Sequence, residues 1–237
     1  MVNLGFWQLR RLDERQAFNE SVRSRSAIPA ADYSDVLHDG TDPDDVEWRI
    51  VRARGTYLTD EEVLVVNRSQ GGVAGRNVVT PLLLDDGSLL LVTRGFVPDA
   101  VDIPSAPSGP IDVVGVVRAS EERRTGQLTE ASDGERTEFQ RLDIERIAPQ
   151  LPGEVEPVTV DLRESTPAQG DVLSPVPDPE LSEGPHLSYS VQWFIFSLCA
   201  IVGWFFAVRR SALTASGRRT PKRSPVPVDD GLPTALH

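Results

Sequence analysis

The sequence predicts a membrane protein of the α+β class, in which an antiparallel, β-rich extracytoplasmic domain lies between two transmembrane helices. Residues 184–208 carry no Asp, Glu, Lys or Arg, which is the pattern of a membrane-spanning helix. Short runs of β-branched residues, separated by Gly and Asp turns, occupy much of residues 47–162 and favour a small open barrel or a sheet with few helices. Residues 1–9 are also uncharged and indicate a second apolar segment.

The first element is this uncharged stretch of residues 1–9, which Arg10 and Arg11 follow directly. At about 1.5 Å per residue, a helix of this length covers roughly 14 Å, half of a hydrocarbon core of about 30 Å. We therefore expect residues 1–9 to be the outer end of a truncated first transmembrane helix, whose beginning lies upstream in the natural product. Apolar residues among the charges that follow predict that the helix continues outward and stops before Pro29.

The second element is the extracytoplasmic domain, which we assign to residues 10–163. Residues 32–45 are rich in aspartate and contain Gly and Pro, so we expect a solvated loop there. The apolar runs that predict strands are residues 47–58, 63–66, 77–84, 88–93, 111–117 and 155–162. An Asp-Asp-Gly sequence at residues 85–87 predicts a hairpin turn, and residues 139–151 favour a brief strand followed by one helix.

A proline-rich linker at residues 164–183 and a transmembrane helix at residues 184–208 come next. The stretch 187–208 would cover about 33 Å as a helix, enough to cross a hydrocarbon core of about 30 Å. A buried core helix is the alternative, but such helices seldom run so far without a charge.

The last element is a basic tail at residues 209–237. It contains six basic and two acidic side chains, whereas residues 1–208 contain 18 basic and 34 acidic ones. The positive-inside rule places the tail in the cytoplasm and the acidic domain outside the membrane. The proline content of the tail predicts disorder. The sequence therefore predicts a multi-pass protein of the cell (plasma) membrane, in contact with the lipid bilayer.

Composition excludes several classes of function. The net charge of −12 argues against a nucleic-acid partner, because phosphate backbones require clustered Lys and Arg. The single cysteine, Cys199, can form neither an intramolecular disulfide nor a multi-cysteine metal site, and we interpret it as a small packing residue. The sequence contains no GxSxG, Walker or HExxH motif, and its many acidic residues single out no acid–base pair. An ordinary hydrolase or oxidoreductase is thus disfavoured.

His186 is the most informative candidate residue. Pro185 precedes it, and proline favours the first turn of a helix, so His186 should lie there, at the outer membrane surface. At 100° per residue, the residues that share its helix face are Ser190, Trp193, Ser197, Ala200 and Trp204. An imidazole at this depth could ligate haem iron, with Trp193 against the haem face. The alternative is a hydrogen-bonded interfacial histidine, with Tyr189 and Trp193 in the aromatic belt.

Arg94 is the second candidate. It begins the compact sequence Arg94-Gly95-Phe96-Val97-Pro98, in which Gly and Pro suggest a tight exit from a strand. Its guanidinium could receive a carboxylate, including a propionate, because the two groups match in a bidentate geometry. Pairing with one of the many nearby acidic residues is the alternative.

Several separated segments together resemble one family. They are Leu4-Gly5-Phe6-Trp7-Gln8-Leu9-Arg10, Trp48-Arg49 with Gly55 and Tyr57, Val92-Thr93-Arg94-Gly95-Phe96-Val97-Pro98, and Glu183-Gly184-Pro185-His186-Leu187-Ser188-Tyr189 with Val191-Gln192-Trp193-Phe194. In this order they are similar to the Surfeit-locus (Surf/Shy) cytochrome c oxidase assembly factors. The chain departs from that pattern at Thr93 and Phe96, where Asn and Trp are usual, and in its truncated first span.

The resemblance implies two transmembrane helices with both ends in the cytoplasm and a large loop outside. It further implies a protein that is not an enzyme but assists haem–copper oxidase assembly, by helping haem a into the catalytic subunit. The implied cofactor is transiently bound haem a, with His186 as the linked residue, and the implied partners are the oxidase catalytic subunit and the haem a synthesis machinery. Two alternatives stay open: an anchored extracytoplasmic protein-binding or sensor module with no haem role, and a membrane-tethered enzyme with unidentified carboxylates.

Overall fold

The computed structural model describes residues 1–38, 40–121 and 136–217 of a chain that divides into two units, residues 1–15 with 183–237 and residues 16–182. The helices are α1 (Val2–Ser26), α2 (Tyr33–Val36), α3 (Pro43–Val46), α4 (Ile144–Ile147) and α5 (His186–Gly217). The strands are β1 (Ala31–Asp32), β2 (Ile50–Tyr57), β3 (Val63–Gln70), β4 (Val73–Leu84), β5 (Leu89–Pro98), β6 (Pro110–Ala119), β7 (Glu138–Phe139) and β8 (Val155–Thr166). The α+β class predicted from the sequence is confirmed.

Five of the strands close into a ring in the order β2, β6, β8, β5, β4 and back to β2, while β1, β3 and β7 extend the sheet at its edges. Pairs within the ring are antiparallel except β5 with β8, and the pairs β1–β2 and β3–β7 are parallel too. The prediction of a wholly antiparallel sheet was wrong, because an odd number of strands in a ring cannot alternate in direction at every pairing. Five-stranded barrels also form the OB-fold.

The interior of the ring is filled by side chains that alternate inward along the five strands. The buried strand residues are Val51, Ala53, Tyr57, Leu82, Leu84, Leu90, Val92, Ile111, Val113, Val117, Val158, Val160 and Leu162. Gly55 lies where β2 meets β4, and a Cβ atom there would stand 2.2 Å from the carbonyl oxygen of Leu83. Glycine therefore permits the close approach that closes the ring.

A second apolar cluster covers part of the outer face of the sheet. Its members are Val63, Val65, Val79, Leu89, Leu91, Phe139, Leu142, Ile144, Ile147 and Leu151. Phe139 belongs to β7, and two of the isoleucines belong to α4, so residues 139–151 supply the brief strand and the helix that the sequence predicts. Strand β5 is covered on both faces and is buried from Leu89 to Val97.

Residues 32–45 differ from the predicted solvated loop. They contain the four-residue helix α2 and most of α3, and Asp42 caps α3 by accepting a hydrogen bond from the backbone N–H of Asp44 at 3.0 Å. Tyr33, Val36 and Leu37 are buried against the barrel core, because they are the apolar residues between the aspartates. The prediction of a solvated loop rested on the high aspartate content of the segment and overlooked these three apolar residues.

The predicted linker at residues 164–183 begins within a strand, since β8 runs to Thr166. Further along, Leu173 is buried in a cluster with Val78 and Val97, and Ser174 exchanges backbone hydrogen bonds of 2.7 and 2.9 Å with Phe96. The first half of the predicted linker is therefore packed on the barrel domain.

Helix α5 is the only helix among the described residues that is long and apolar enough to cross a membrane, over His186–Thr214 with a mean hydropathy of 2.0. It continues to Gly217, so the start of the predicted disordered tail is helical, and Thr214 Oγ1 donates to the Arg210 carbonyl oxygen at 2.9 Å. The rest of the tail, residues 218–237, lies outside the described residues. Helix α1 ends at Ser26, before Pro29. Two membrane spans stay a prediction.

Candidate functional site

His186 lies at the first residue of α5, directly after the Gly184–Pro185 turn, in which Gly184 has a φ of +67°. Its side chain is half-buried, and its Nδ1 stands 2.7 Å from Oε1 of Gln8 on α1. An amide oxygen can only accept, so Nδ1 donates in this arrangement and the lone pair of the neutral ring lies on Nε2. The Gln8 contact therefore orients the imidazole and, in a neutral ring, selects the tautomer that is protonated on Nδ1.

Two further contacts hold α1 against the first turns of α5 in the same unit. Ser190 is buried, and its hydroxyl donates to the Gly5 carbonyl oxygen at 3.1 Å. The rings of Phe6 and Phe194 meet edge to face with centroids 5.3 Å apart. A Cβ atom on Gly5 would stand 2.8 Å from the Phe194 ring, so glycine permits this close packing.

The predicted face of α5 divides into a packed part and an exposed part. Ser197 is buried, Trp193 is half-buried, and Ala200 and Trp204 are exposed. The Trp193 ring meets the Phe196 ring edge to face, with centroids 6.1 Å apart. The backbone carbonyl oxygen of Trp193 accepts a hydrogen bond from the Ser197 hydroxyl at 2.8 Å. The structure thus joins His186 to Gln8, while the contact of Trp193 with a haem face stays a prediction.

Arg94 occupies a different environment, in the barrel unit. Its side chain is fully buried, and Nη1 donates to Glu62 Oε2 at 2.8 Å. Nη2 donates to the Pro104 carbonyl oxygen at 3.1 Å, and Nε donates to Gln169 Oε1 at 3.2 Å. The interpretation that Arg94 pairs with a nearby acidic residue is confirmed, and all three guanidinium nitrogens have protein partners.

The partners of Arg94 are themselves engaged. Glu62 Oε2 also accepts from the Thr80 hydroxyl at 2.7 Å, and Gln169 Nε2 donates to the Arg94 carbonyl oxygen at 2.7 Å. Arg94 lies 6.0 Å from the centroid of the Tyr57 ring. Burial raises the pKa of Tyr57 to about 12, with the charge of Arg94 acting in the opposite direction. Arg94, Glu62, Thr80 and Gln169 thus form a structural network, while the buried Tyr57 hydroxyl has no hydrogen-bond partner among the described residues.

Sequence reasoning missed the residues that position His186. Gln8 is a polar amide within an otherwise apolar run, and that pattern is a signal for a buried hydrogen-bond partner. Glu62 and Gln169 carry no such signal, because they lie 32 and 75 residues from Arg94. Within residues 1–38, 40–121 and 136–217, no three His, Cys, Asp or Glu side chains form a group that could hold a metal ion.

Comparison with known proteins gives the family. The SURF1 family profile matches residues 1–198. A SURF1-like protein of Mycobacterium tuberculosis is 30% identical, over 95% of this chain and 85% of its own length. Surfeit locus protein 1 of Takifugu rubripes is 29% identical over 85% of this chain and 90% of its own, and a SURF1-like protein of Rickettsia bellii is 24% identical over 94% and 91%. The matched region contains all eight strands and the Gly-Pro-His sequence at the start of α5. This chain belongs to the SURF1 family.

Proposed function

We propose that the protein assists the assembly of haem–copper cytochrome c oxidase by holding haem a with His186 during delivery to the catalytic subunit. The observation that carries the proposal is the 2.7 Å contact between His186 Nδ1 and Gln8 Oε1. Metal-ligating histidines commonly donate their second ring N–H to an oxygen acceptor, which fixes the ring and raises its basicity. Nε2 is then the nitrogen for haem iron, a common partner of neutral imidazole.

The surroundings of His186 support transient binding of an apolar cargo. The side chain is half-buried, and the apolar residues that follow it in α5 are mostly exposed, among them Leu187, Val191 and Ile195. Haem a would thus meet a ligand beside an apolar helix surface. Such a site could release its cargo, because His186 is the one residue that the proposal assigns to the iron.

The membrane topology forms part of the proposal. Helix α5 would cross the plasma membrane with Arg209 and Arg210 on the cytoplasmic side, and α1 would contribute the end of a first span. The acidic barrel domain would then face the exterior. In this arrangement the partners are the lipid bilayer, the oxidase catalytic subunit and the machinery that makes haem a, and the protein itself converts no substrate.

The proposal is tested in cells deleted for the gene and complemented with the wild-type protein, with His186→Ala or with His38→Ala. His38 is exposed in the barrel unit and serves as the matched control. We expect the haem a spectrum of the isolated oxidase to be lost with His186→Ala and to be normal with His38→Ala. Unchanged oxidase spectra in the deleted cells would contradict an assembly role and favour the sensor or protein-binding alternative.

Gln8→Leu separates positioning of the imidazole from ligation. The variant keeps the ligand and removes the acceptor, so we expect an intermediate haem content, with about 10- to 100-fold weaker haem binding as for other lost partners of ligating histidines. Wild-type haem binding in Gln8→Leu would contradict the positioning role of Gln8. The His186→Ala variant would still test whether His186 is the ligand.

A further inference from the structure

A cleft with a polar floor and apolar walls lies on the outer face of the barrel, within the unit of residues 16–182. Strands β3, β4, β5, β6 and β8 form most of it, and residues 176–179 add one wall. Its volume is about 340 Å³. That volume is at the lower end of ligand sites, which span about 300–1,000 Å³. Nothing in the proposed function uses this cleft.

The floor of the cleft is a quartet of polar side chains on three adjoining strands. Thr93 on β5 is the register partner of Asp161 on β8, and Thr159 on β8 is the register partner of Arg118 on β6. Side chains on one strand alternate between faces, so Thr159 and Asp161 point away from the interior that Val160 fills. The quartet therefore forms one compact polar patch under the cleft.

One of the four groups lacks a partner. Thr93 and Thr159 are 2% and 0% exposed; the Thr93 hydroxyl interacts with the Asp161 carboxyl, whereas the Thr159 Oγ1 atom has no hydrogen-bond partner among the described residues. A buried hydroxyl without a partner is costly, and such groups in native proteins call for a ligand, a water or an ion. Both threonines belong to the lining of the cleft, but their hydroxyl oxygens are inaccessible, so Arg118 and Asp161 are the polar groups of the floor that a bound molecule can reach.

Arg118 is held flat but is not saturated by its carboxylate neighbours. Its guanidinium lies 3.6 Å from the centroid of the Trp48 ring. Its nitrogens stand 3.5 Å from Glu47 Oε1 and 3.9 Å from Asp161 Oδ2, both longer than an ordinary hydrogen bond of about 2.7–3.2 Å. A planar guanidinium stacked on an aromatic ring presents its N–H edge to a ligand.

The backbone of Trp48 is unusual in a way that serves this stacking. Its φ is +74°, which is rare for a bulky side chain. The conformation is held by an edge-to-face contact with Phe18, with centroids 5.8 Å apart, and by a hydrogen bond of 2.9 Å from the Trp48 N–H to the Val117 carbonyl oxygen. Strained positions that the fold holds in this way concentrate at binding sites.

The other charges at the cleft are already paired. Arg68 and Glu121 form a salt bridge at 2.5 Å, and Arg163 pairs with Asp178 and donates to the Val176 carbonyl oxygen at 2.7 Å. Arg118 and Asp161 are therefore the charges offered to a ligand. Burial raises the pKa of Asp161, while the charge of Arg118 and the nearby Thr93 hydroxyl act in the opposite direction.

One guanidinium beside one carboxyl selects a neutral ligand with both an acceptor and a donor. A carboxylate ligand would meet Asp161, and an ammonium ligand would meet Arg118. An amide avoids both conflicts, because its carbonyl oxygen accepts and its N–H donates. Apolar walls flank the polar floor, with Val65, Val79 and Phe96 among them, as a main chain with apolar side chains requires.

We propose that this cleft binds a peptide segment of another polypeptide, with a main-chain amide between Arg118 and Asp161. The amide accepts from the Arg118 guanidinium and donates to the Asp161 carboxyl. The proposal is independent of haem binding, since every residue in it lies in the barrel unit.

The test uses the full chain in detergent and three related probes, observed by saturation-transfer NMR: neutral N-acetyl-leucinamide, anionic N-acetyl-leucine, which keeps the secondary amide, and cationic leucinamide, in which an ammonium group replaces it. We expect the neutral probe to bind about tenfold more tightly than either charged probe. Isobutyramide, a primary amide without a peptide main chain, should bind more weakly than N-acetyl-leucinamide. Equal binding of the three charge forms, or of isobutyramide, would overturn the peptide assignment.

Variants that remove one charged group identify the site. Arg118→Met and Asp161→Leu each remove one hydrogen-bond partner of the amide, so binding of the neutral probe should weaken about tenfold for each, and the melting temperature of each variant checks that it is folded. Arg54→Met, at an exposed position of β2, is the matched control and should bind as the wild type does. Wild-type binding by either folded cleft variant would overturn the proposal.

Discussion

Arg94 and His186 each lie in a prominent sequence block, yet their environments are opposite. Arg94 is fully buried, and protein groups engage all three of its guanidinium nitrogens. His186 is half-buried, and its one described hydrogen bond uses Nδ1. The difference teaches that a conspicuous charged residue such as Arg94 can have all of its hydrogen-bonding groups satisfied within the protein. A residue such as His186, which a contact orients but does not enclose, keeps an atom for a ligand.

The largest expected effect falls on the closed network. Arg94→Met removes the fully buried guanidinium and leaves Glu62, Gln169 and the Pro104 carbonyl oxygen without its N–H groups, so we expect a loss of about 3–5 kcal/mol in the free energy of unfolding, measured by denaturant titration of the full chain. Arg54→Met is the matched control, because its ion pair with Asp112 at 3.9 Å is exposed, and it should change stability by less than about 0.5 kcal/mol. Similar losses of stability in the two variants would contradict the conclusion that the buried Arg94 network, unlike an exposed ion pair, stabilises the fold.

The next effect is a pH dependence of the same network. Because burial raises the pKa of folded Tyr57 to about 12 from 10.0, the unfolded chain loses this proton first, and the stabilising contribution falls as pH rises from 10.0 to about 12. Across the whole window, the loss of the Tyr57 proton from the unfolded chain should lower the free energy of unfolding by about 2–3 kcal/mol. Unfolding of Tyr57→Phe across this window should lack that part of the decline. Parallel curves for wild type and variant would contradict the assignment.

The packing beneath His186 should respond less strongly. Gly5→Leu places atoms against the Phe194 ring, and we expect a cost of about 1–3 kcal/mol in packing of α1 against α5. Hydrogen exchange of residues 2–15 should then be about tenfold faster. Gly203→Leu, at a glycine of α5 with open space around it, is the control and should leave exchange unchanged. Unaltered hydrogen exchange in Gly5→Leu would contradict the claim that Gly5 permits the close packing of α1 against Phe194 of α5.

The smallest effect concerns Asp161 in the cleft. Its folded pKa is raised above the ordinary value of 3.8, so the unfolded chain releases this proton first and stability falls as pH rises from that value through the folded pKa. Asp161→Asn should therefore be more stable than the wild type at pH 7, by about 1 kcal/mol or less, with no gain near pH 4. Denaturant titration at both pH values checks this, and a destabilised variant at pH 7 would contradict it.

Local signals explain what the sequence predicts well. Helix α5 follows from the absence of charge over residues 184–208, and the position of His186 follows from the proline before it. The strands follow from runs of β-branched residues. What local signals miss are contacts between distant positions: the 178 residues that separate His186 from Gln8, and the pairing of β5 with β8 that makes the sheet mixed.

Composition misled the interpretation in one region. Residues 32–45 are dominated by aspartate, so average polarity predicted a solvated loop, whereas Tyr33, Val36 and Leu37 bury against the barrel. The cleft was invisible for a related reason. Thr93, Thr159, Asp161 and Arg118 become one patch only through strand register, which no single segment encodes.

The most direct test of the central claim is a titration of the full chain in detergent with ferric haem a, followed by the change in the Soret band. The wild type and His38→Ala should bind with equal affinity, and His186→Ala should bind at least about tenfold more weakly. Equal affinity of His186→Ala and wild type would contradict the assignment of His186 as the haem ligand.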